Sequence, residues 1–356
     1  MRRWMMIRRA FLVSSFSFIF LFSCSATPFK TNSQARKNSN FQKGIAYTGY
    51  WRDSYEGSGP RLALRELSET NANWVSILVT GYQDYVNSTV ISRTGDETPT
   101  DASLRSIIRY AHSLGLKVML KPHVDLLHDD KHWRGQIGPN FTPADWAVWF
   151  ASYCEFILHY ARLAAELDVE QFSAGCELDS TVGHEAEWRQ IIADIRLVYK
   201  GSLTYADDQV ESNPNAVEWW DAVDIIGLDT YATLTQKSHP KVIDLLIGWK
   251  SYLAKLRSLS ERWNKPLILT EIGYRSIRGG AQNPWDWQRQ EPVDLIVQAN
   301  CYEAAFRSVA GKPWLVGMYW WQWSPDPNEG GFEDTGYTPH GKPAEAVLRN
   351  WYKKSF

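Results

Sequence analysis

From residue 42 onward, short runs of β-branched and aromatic residues alternate with longer amphipathic stretches. Short apolar runs read as buried strands, and apolar positions recurring every three to four residues read as helices. The strand candidates are 43–48, 74–80, 117–124, 170–176, 203–206, 224–229, 266–270 and 316–321. Each is followed by a helical pattern, clearest over 101–114, 144–167, 185–199, 242–263, 295–310 and 344–352. Thr142-Pro143 puts Pro at a first helical position, Asp101 stands as a cap ahead of Leu104, Ile107 and Ile108, and Gly115 sits where a helix should stop.

The strand runs are nearly continuous in apolar residues, as expected of a parallel sheet buried on both faces. Eight such units predict an α/β fold, a single (β/α)8 TIM barrel with enlarged βα loops. The rival is an open doubly wound sheet, which would carry a Gly-rich phosphate loop after its first strand. Gly44-Ile45-Ala46-Tyr47-Thr48-Gly49 lacks that spacing.

The first forty residues follow another pattern. Arg2, Arg3, Arg8 and Arg9 precede an uncharged, mostly apolar run, 10–22, that is short for a bilayer span. Leu21-Phe22-Ser23-Cys24 resembles a bacterial lipoprotein box, in which lipidated Cys24 becomes the new N-terminus. Residues 1–23 are therefore expected to be a lipoprotein-type signal peptide, 24–40 a flexible polar tether, and 41–356 the barrel domain. The chain is expected to be exported and held at a membrane by its lipid. Ordinary secretory cleavage after Ala26 is the competing reading, and a bare membrane anchor fits the run length least.

Composition narrows the function. The 356 residues include 18 Trp, 17 Tyr and 14 Phe, which excludes a disordered chain. A formal net charge of −2 leaves no basic excess for nucleic acid. Four Cys in this length do not make a disulfide framework.

A barrel of this kind places its chemistry at the C-terminal ends of its strands. Those ends read Tyr50-Trp51-Arg52, Tyr82-Gln83, Lys121-Pro122-His123-Val124-Asp125, Gly175-Cys176-Glu177, Asp207-Asp208-Gln209, Asp229-Thr230-Tyr231, Thr270-Glu271-Ile272 and Trp320-Trp321-Gln322-Trp323. Glu177 and Glu271 each directly follow an apolar run, from the fourth and seventh strands on opposing sides of the mouth. Glycoside hydrolysis needs such a carboxyl pair flanking the scissile bond; about 5–5.5 Å of separation gives retention and about 6.5–9.5 Å inversion.

A glutamate after strand four and another after strand seven is the layout of the clan A glycoside hydrolases, and within that clan the chain resembles glycoside hydrolase family 113, known for β-1,4-mannanase activity. The resemblance rests on Gly175-Cys176-Glu177, Asp229-Thr230-Tyr231, Leu269-Thr270-Glu271-Ile272-Gly273, Tyr319-Trp320-Trp321 and the stretch from Gly336 to Ala344, and covers about residues 42–352. It implies a retaining hydrolase of β-1,4-linked polysaccharide, with Glu271 as nucleophile, Glu177 as acid/base and Tyr231 hydrogen-bonded to the nucleophile. Most of the clan has Asn before the acid/base; Cys176 stands there instead, as is similar in family 113.

Sugar contacts are expected from Trp321 or Trp323 as the floor of the cleavage subsite, since period-two alternation sends Trp320 to the opposite face. Trp51 is expected as an outer platform, and Lys121, His123 and Asp208 as partners of sugar hydroxyls. Of the tryptophans, Trp51, Trp133, Trp285, Trp287, Trp321 and Trp323 fall on the C-terminal face, while Trp146, Trp149, Trp188, Trp219, Trp220, Trp249, Trp263 and Trp351 fall in helical segments.

Neither a cofactor nor a metal is expected. His123, Asp125, His128 and His132 cluster without zinc-ligand spacing, and Asp326-Pro327-Asn328-Glu329-Gly330 lacks the full ligand series of a calcium loop. Two other functions remain open: another clan A specificity (β-1,4-galactan, glucan or xylan), and a non-catalytic glycan-binding lipoprotein on the same barrel.

Overall fold

The computed structural model describes residues 41–356. The signal-peptide pattern, Cys24 and the tether lie outside the described residues. The eight parallel strands β1 (Gln42–Tyr47), β2 (Trp74–Gln83), β3 (Lys117–Leu126), β4 (Gln171–Cys176), β5 (Ser202–Asp207), β6 (Ile226–Thr230), β7 (Leu267–Ile272) and β8 (Leu315–Trp323) close into a barrel. Closure is made by β1 against β8, from Gln42 beside Gly317 to Tyr47 beside Trp323. The helices α1 (Ser58–Ser68), α2 (Asp101–Ser113), α3 (Pro143–Glu166), α4 (Glu185–Val198), α5 (Val242–Trp263), α6 (Leu295–Val309) and α7 (Pro343–Tyr352) alternate with the strands. The expected (β/α)8 architecture is present.

Local chemistry explains the helix starts. At α3, Thr142 Oγ1 accepts from the Asp145 N–H, the Asp145 carboxylate accepts from the Thr142 N–H, and Pro143 occupies the first turn, where no donor is needed. At α2 the cap is Thr100, not Asp101: Thr100 Oγ1 accepts from the Ser103 N–H, while Asp101 is the first helical residue and accepts from His159. The helix ends at Leu114, with Gly115 at φ 79°.

Two differences from the sequence reading bear on the site. The β5–β6 connection holds only a short 3-10 turn, Trp220–Ala222, where a helical pattern was expected. Ser212-Asn213-Pro214-Asn215 interrupts it with turn formers and a Pro that cannot donate to a helix ladder. Trp219 and Trp220 are nonetheless fully buried. Second, β2, β3, β7 and β8 all run past their apolar segments into polar residues at the mouth. Glu271 thus lies inside β7 rather than after it.

Within the described residues no helix is long and apolar enough to cross a membrane, and Cys154, Cys176 and Cys301 are free thiols.

Candidate active site

At the C-terminal end of the barrel lies a cleft of about 990 Å³, lined by residues from almost every βα connection, including Tyr50, His123, Arg134, Glu177, Asp208, Tyr231, Glu271 and Trp321. Glu177 reaches it through an unusual backbone. β4 ends at Cys176, and Glu177 takes the left-handed conformation, φ 52°, while its N–H donates to the Ala206 carbonyl at 2.9 Å. A non-glycine residue held there costs on the order of 1–2 kcal/mol and needs its surroundings to fix it. The surroundings are tight: a Cβ on Gly175 would meet Tyr153 Oη and Tyr205 at 2.8 Å. The following turn is tied down as well, by Tyr205 Oη, which accepts from the Leu178 N–H at 3.0 Å.

Glu271 is nearly buried and held at both oxygens. Lys121 Nζ donates to Oε1 at 2.6 Å and Tyr231 Oη to Oε2 at 2.7 Å. The same ammonium bridges Asp229 Oδ1 and Oδ2 at 3.0 and 2.9 Å, and Asp229 also accepts from Thr270 Oγ1 and from the Cys176 thiol. Burial alone would neutralise Lys121, but the charges of Asp229 and Glu271 outweigh it and hold its pKa well above the ordinary value. Burial and the Asp229 charge push the Glu271 carboxyl up, and the bonds from Lys121 and Tyr231 oppose that rise.

Glu177 has a different environment. Arg134 Nη1 donates to its Oε2 at 3.0 Å and Arg134 Nη2 to Asp125 Oδ2 at 3.1 Å. Burial pushes the Glu177 carboxyl well above the usual carboxylate range; Arg134 opposes this, and Asp229, Asp208 and Glu271 add to it. His123 is driven the other way, well below 6.5, by burial and by the charges of Lys121 and Arg134. Its Nε2 has no hydrogen-bond partner and lies 3.9 Å from Glu271 Oε1.

The residues expected at the site divide into two groups. Glu177, Glu271, His123, Asp208, Tyr231 and Trp321 line the cleft. Lys121, Cys176 and Trp323 do not. Lys121 and Cys176 lie beneath the cleft floor with their donors committed to Asp229 and Glu271. Trp323 is buried, 4.6 Å from the His340 ring. The cause is a bulge: Ile45 pairs Trp320 and Tyr47 pairs Trp323, so β8 has one residue more than β1 there, and Trp321 and Trp323 no longer share a face. Trp320 packs outward, its ring stacked 3.5 Å from Tyr302 on α6. Trp51 stands exposed outside the cleft lining, which its neighbour Tyr50 joins.

Sequence reasoning missed Arg134, which sits in a polar loop with no period to mark it. It also passed over Asp229 as a site residue, although a charge inside an apolar strand is itself a signal.

Residues 46–342 match Glycoside Hydrolase Family 113. The chain belongs to that family. A family 113 β-1,4-mannanase solved as a complex is 29% identical with TM-score 0.79, covering 88% of this chain and 99% of its own. The family 113 β-mannanase of Alicyclobacillus acidocaldarius, solved with ManMIm, is 32% identical at the same TM-score, covering 88% and 97%. A family 5 mannosidase from Rhizomucor miehei, 11% identical with TM-score 0.61 over 88% of this chain and 92% of its own, shares the fold alone. Among curated protein sequences none matches. As a member of family 113, the chain is a glycoside hydrolase of clan A with a carbohydrate substrate.

Proposed function

We propose that this hydrolase cleaves β-1,4-linked mannan by double displacement, retaining the anomeric configuration. The observation that carries the reading is the contrast between two carboxyls facing one cleft. Glu271 has both oxygens fixed by donors, as an ionised nucleophile requires. Glu177 is pushed well up, as a proton donor at neutral pH requires.

In the first step a Glu271 oxygen bonds to the anomeric carbon as the glycosidic C–O bond breaks, and the Glu177 proton passes to the leaving oxygen. In the second, water attacks the same carbon, Glu177 takes the water's proton, and Glu271 departs as carboxylate. Trp321 offers a ring to the apolar face of a sugar, His123 and Asp208 offer hydroxyl partners, and Trp133, Trp285 and Trp287 extend the platform along the cleft. Mannan is favoured among the clan's substrates because the family 113 mannanases match along almost their whole length.

Glu177→Gln and Glu271→Gln are each expected to lower turnover of β-mannan by about 10³-fold or more with unchanged circular dichroism. Glu177→Gln alone should keep substantial activity on an aryl β-mannoside whose leaving group needs no proton. Full mannan turnover in either variant overturns the assignment, and reducing-sugar release from galactan, glucan or xylan but not mannan overturns the specificity. Binding without release from any of them favours the non-catalytic reading. Export as a lipoprotein belongs to the same proposal, supported by the pattern ending at Cys24. Fatty-acid labelling that survives Cys24→Ser would sink it.

A further inference from the structure

Beside the loop that follows Glu177, three aspartates converge from two strand ends. Asp207 is the last residue of β5, Asp208 follows it, and Asp179 opens the 3-10 turn Asp179–Thr181 after β4. One carboxylate oxygen from each lies within 4.8 Å of the others. Oδ1 of all three is buried and without a hydrogen-bond partner, and Asp207 is only 4% exposed. Among the described residues none forms a salt bridge to any of them. Arg134 acts on Asp179 only at longer range, being committed to Glu177 and Asp125.

Three like charges this close and this dry do not persist without a compensating positive charge. The other acidic groupings of the site have one: Lys121 Nζ sits between Asp229 and Glu271, and Arg134 between Glu177 and Asp125. Among the described residues no lysine or arginine is placed in this way at the aspartate cluster. Without a cation, protons have to offset the repulsion; burial and the neighbouring carboxylates' charge push Asp207 and Asp208 up to about 8 and Asp179 up to about 6, against hydrogen bonds from Gln209 to Asp207 and between Asp179 and Asp208.

We propose that Asp179, Asp207 and Asp208 form a calcium site that ties the turn after Glu177 to the end of β5. The donors are all hard oxygens, with no imidazole or thiolate among them, which selects an alkaline-earth ion over zinc. Ca²⁺ sits about 2.3–2.6 Å from its ligands, so oxygens up to roughly 5 Å apart are spanned by one ion. Asp208 also lines the cleft, which admits the waters that complete a sphere of six to eight oxygens. Such an ion bridges two βα connections and holds the strained backbone at Glu177 in place, whichever polysaccharide is cleaved. The site shares no residue with the His123–His132 cluster; its members are split between two strand ends 28 residues apart in sequence.

The test is calorimetric titration of the chelator-stripped full chain with CaCl₂ near neutral pH, with thermal unfolding measured alongside. One ion per chain is expected to bind, and the unfolding midpoint to rise by a few degrees with the logarithm of free calcium. Asp207→Asn and Asp179→Asn should each weaken binding by about tenfold or more, because affinity follows ligand charge. The stripped variants should unfold no lower than the stripped parent, since each removes a repelled charge, and this separates a lost site from a misfolded chain. No binding heat and no midpoint shift in the parent overturns the site, as does an equal shift in the parent and both variants.

Discussion

Lys121 Nζ carries one positive charge between Asp229 and Glu271 in a place that water hardly reaches. Replacing it with Met leaves two carboxylates buried without their counter-charge, and breaking a buried pair in this way costs about 3–5 kcal/mol. The sign of the activity change follows from the same removal. Losing the ammonium raises the Glu271 pKa further, and a nucleophile works only when ionised, so the acidic limb of the pH–rate profile should move to higher pH. An unmoved limb in Lys121→Met would contradict the role. Tyr231→Phe removes one donor from a charged acceptor, which is worth about 1.5–3 kcal/mol. A fall of about 10- to 100-fold in kcat/KM is expected, with thermal unfolding lowered by no more than a few degrees. At this scale Glu177 and Glu271 were legible because each is a charge that ends an apolar run. Arg134 and Asp179 were not, because the loops that carry them repeat with no period and meet their partners only across the barrel mouth.

Among the elements, the turn 178–183 depends on aromatic residues from its neighbours. Trp188 on α4 donates its indole N–H to the Thr181 carbonyl at 3.0 Å, and Trp219 in the β5–β6 connection donates to the Val182 carbonyl at 3.0 Å. The two rings stack, with centroids 5.0 Å apart. The apolar pattern along the sequence placed Trp219 in a helical segment. In the fold it buttresses the Glu177 turn from an irregular connection, a task that the spacing of apolar residues does not encode. Trp219→Phe keeps the stacking and leaves the Val182 carbonyl without its donor, at about 1–3 kcal/mol. Thermal unfolding should fall by a few degrees. Turnover should drop while KM stays near its parent value, because the turn carries Glu177 and not the aromatic platforms. A change confined to KM would place the Trp219 contribution elsewhere.

For the molecule as a whole, His123 couples stability to pH. Its native pKa lies well below 6.5, so below that pH the unfolded chain takes up a proton that the folded chain refuses. Stability therefore falls as pH drops through that range, by up to about 1.4 kcal/mol per pH unit for one such group. Denaturant unfolding from pH 7 to pH 5 should show a shallower loss in His123→Gln than in the parent. Parallel curves would mean that His123 titrates in the fold as it does in the unfolded chain.

Alternation of apolar runs, the caps and the polar residues that end each strand are local properties, readable along one dimension. They determined the barrel, its functional face and the two glutamates on it. The tertiary structure decided what depends on neighbours distant in sequence: that Lys121 and Cys176 serve Glu271 and Asp229 from below, that a bulge against β1 turns Trp323 inward while Trp321 stays in the cleft, and that Arg134 reaches Glu177. It also brought Asp179 to Asp207 and Asp208. The physical reason is the same in each case. Burial and charge pairing are set by the groups that surround a side chain in space, and in a closed barrel those groups come from strands and loops far apart in the chain.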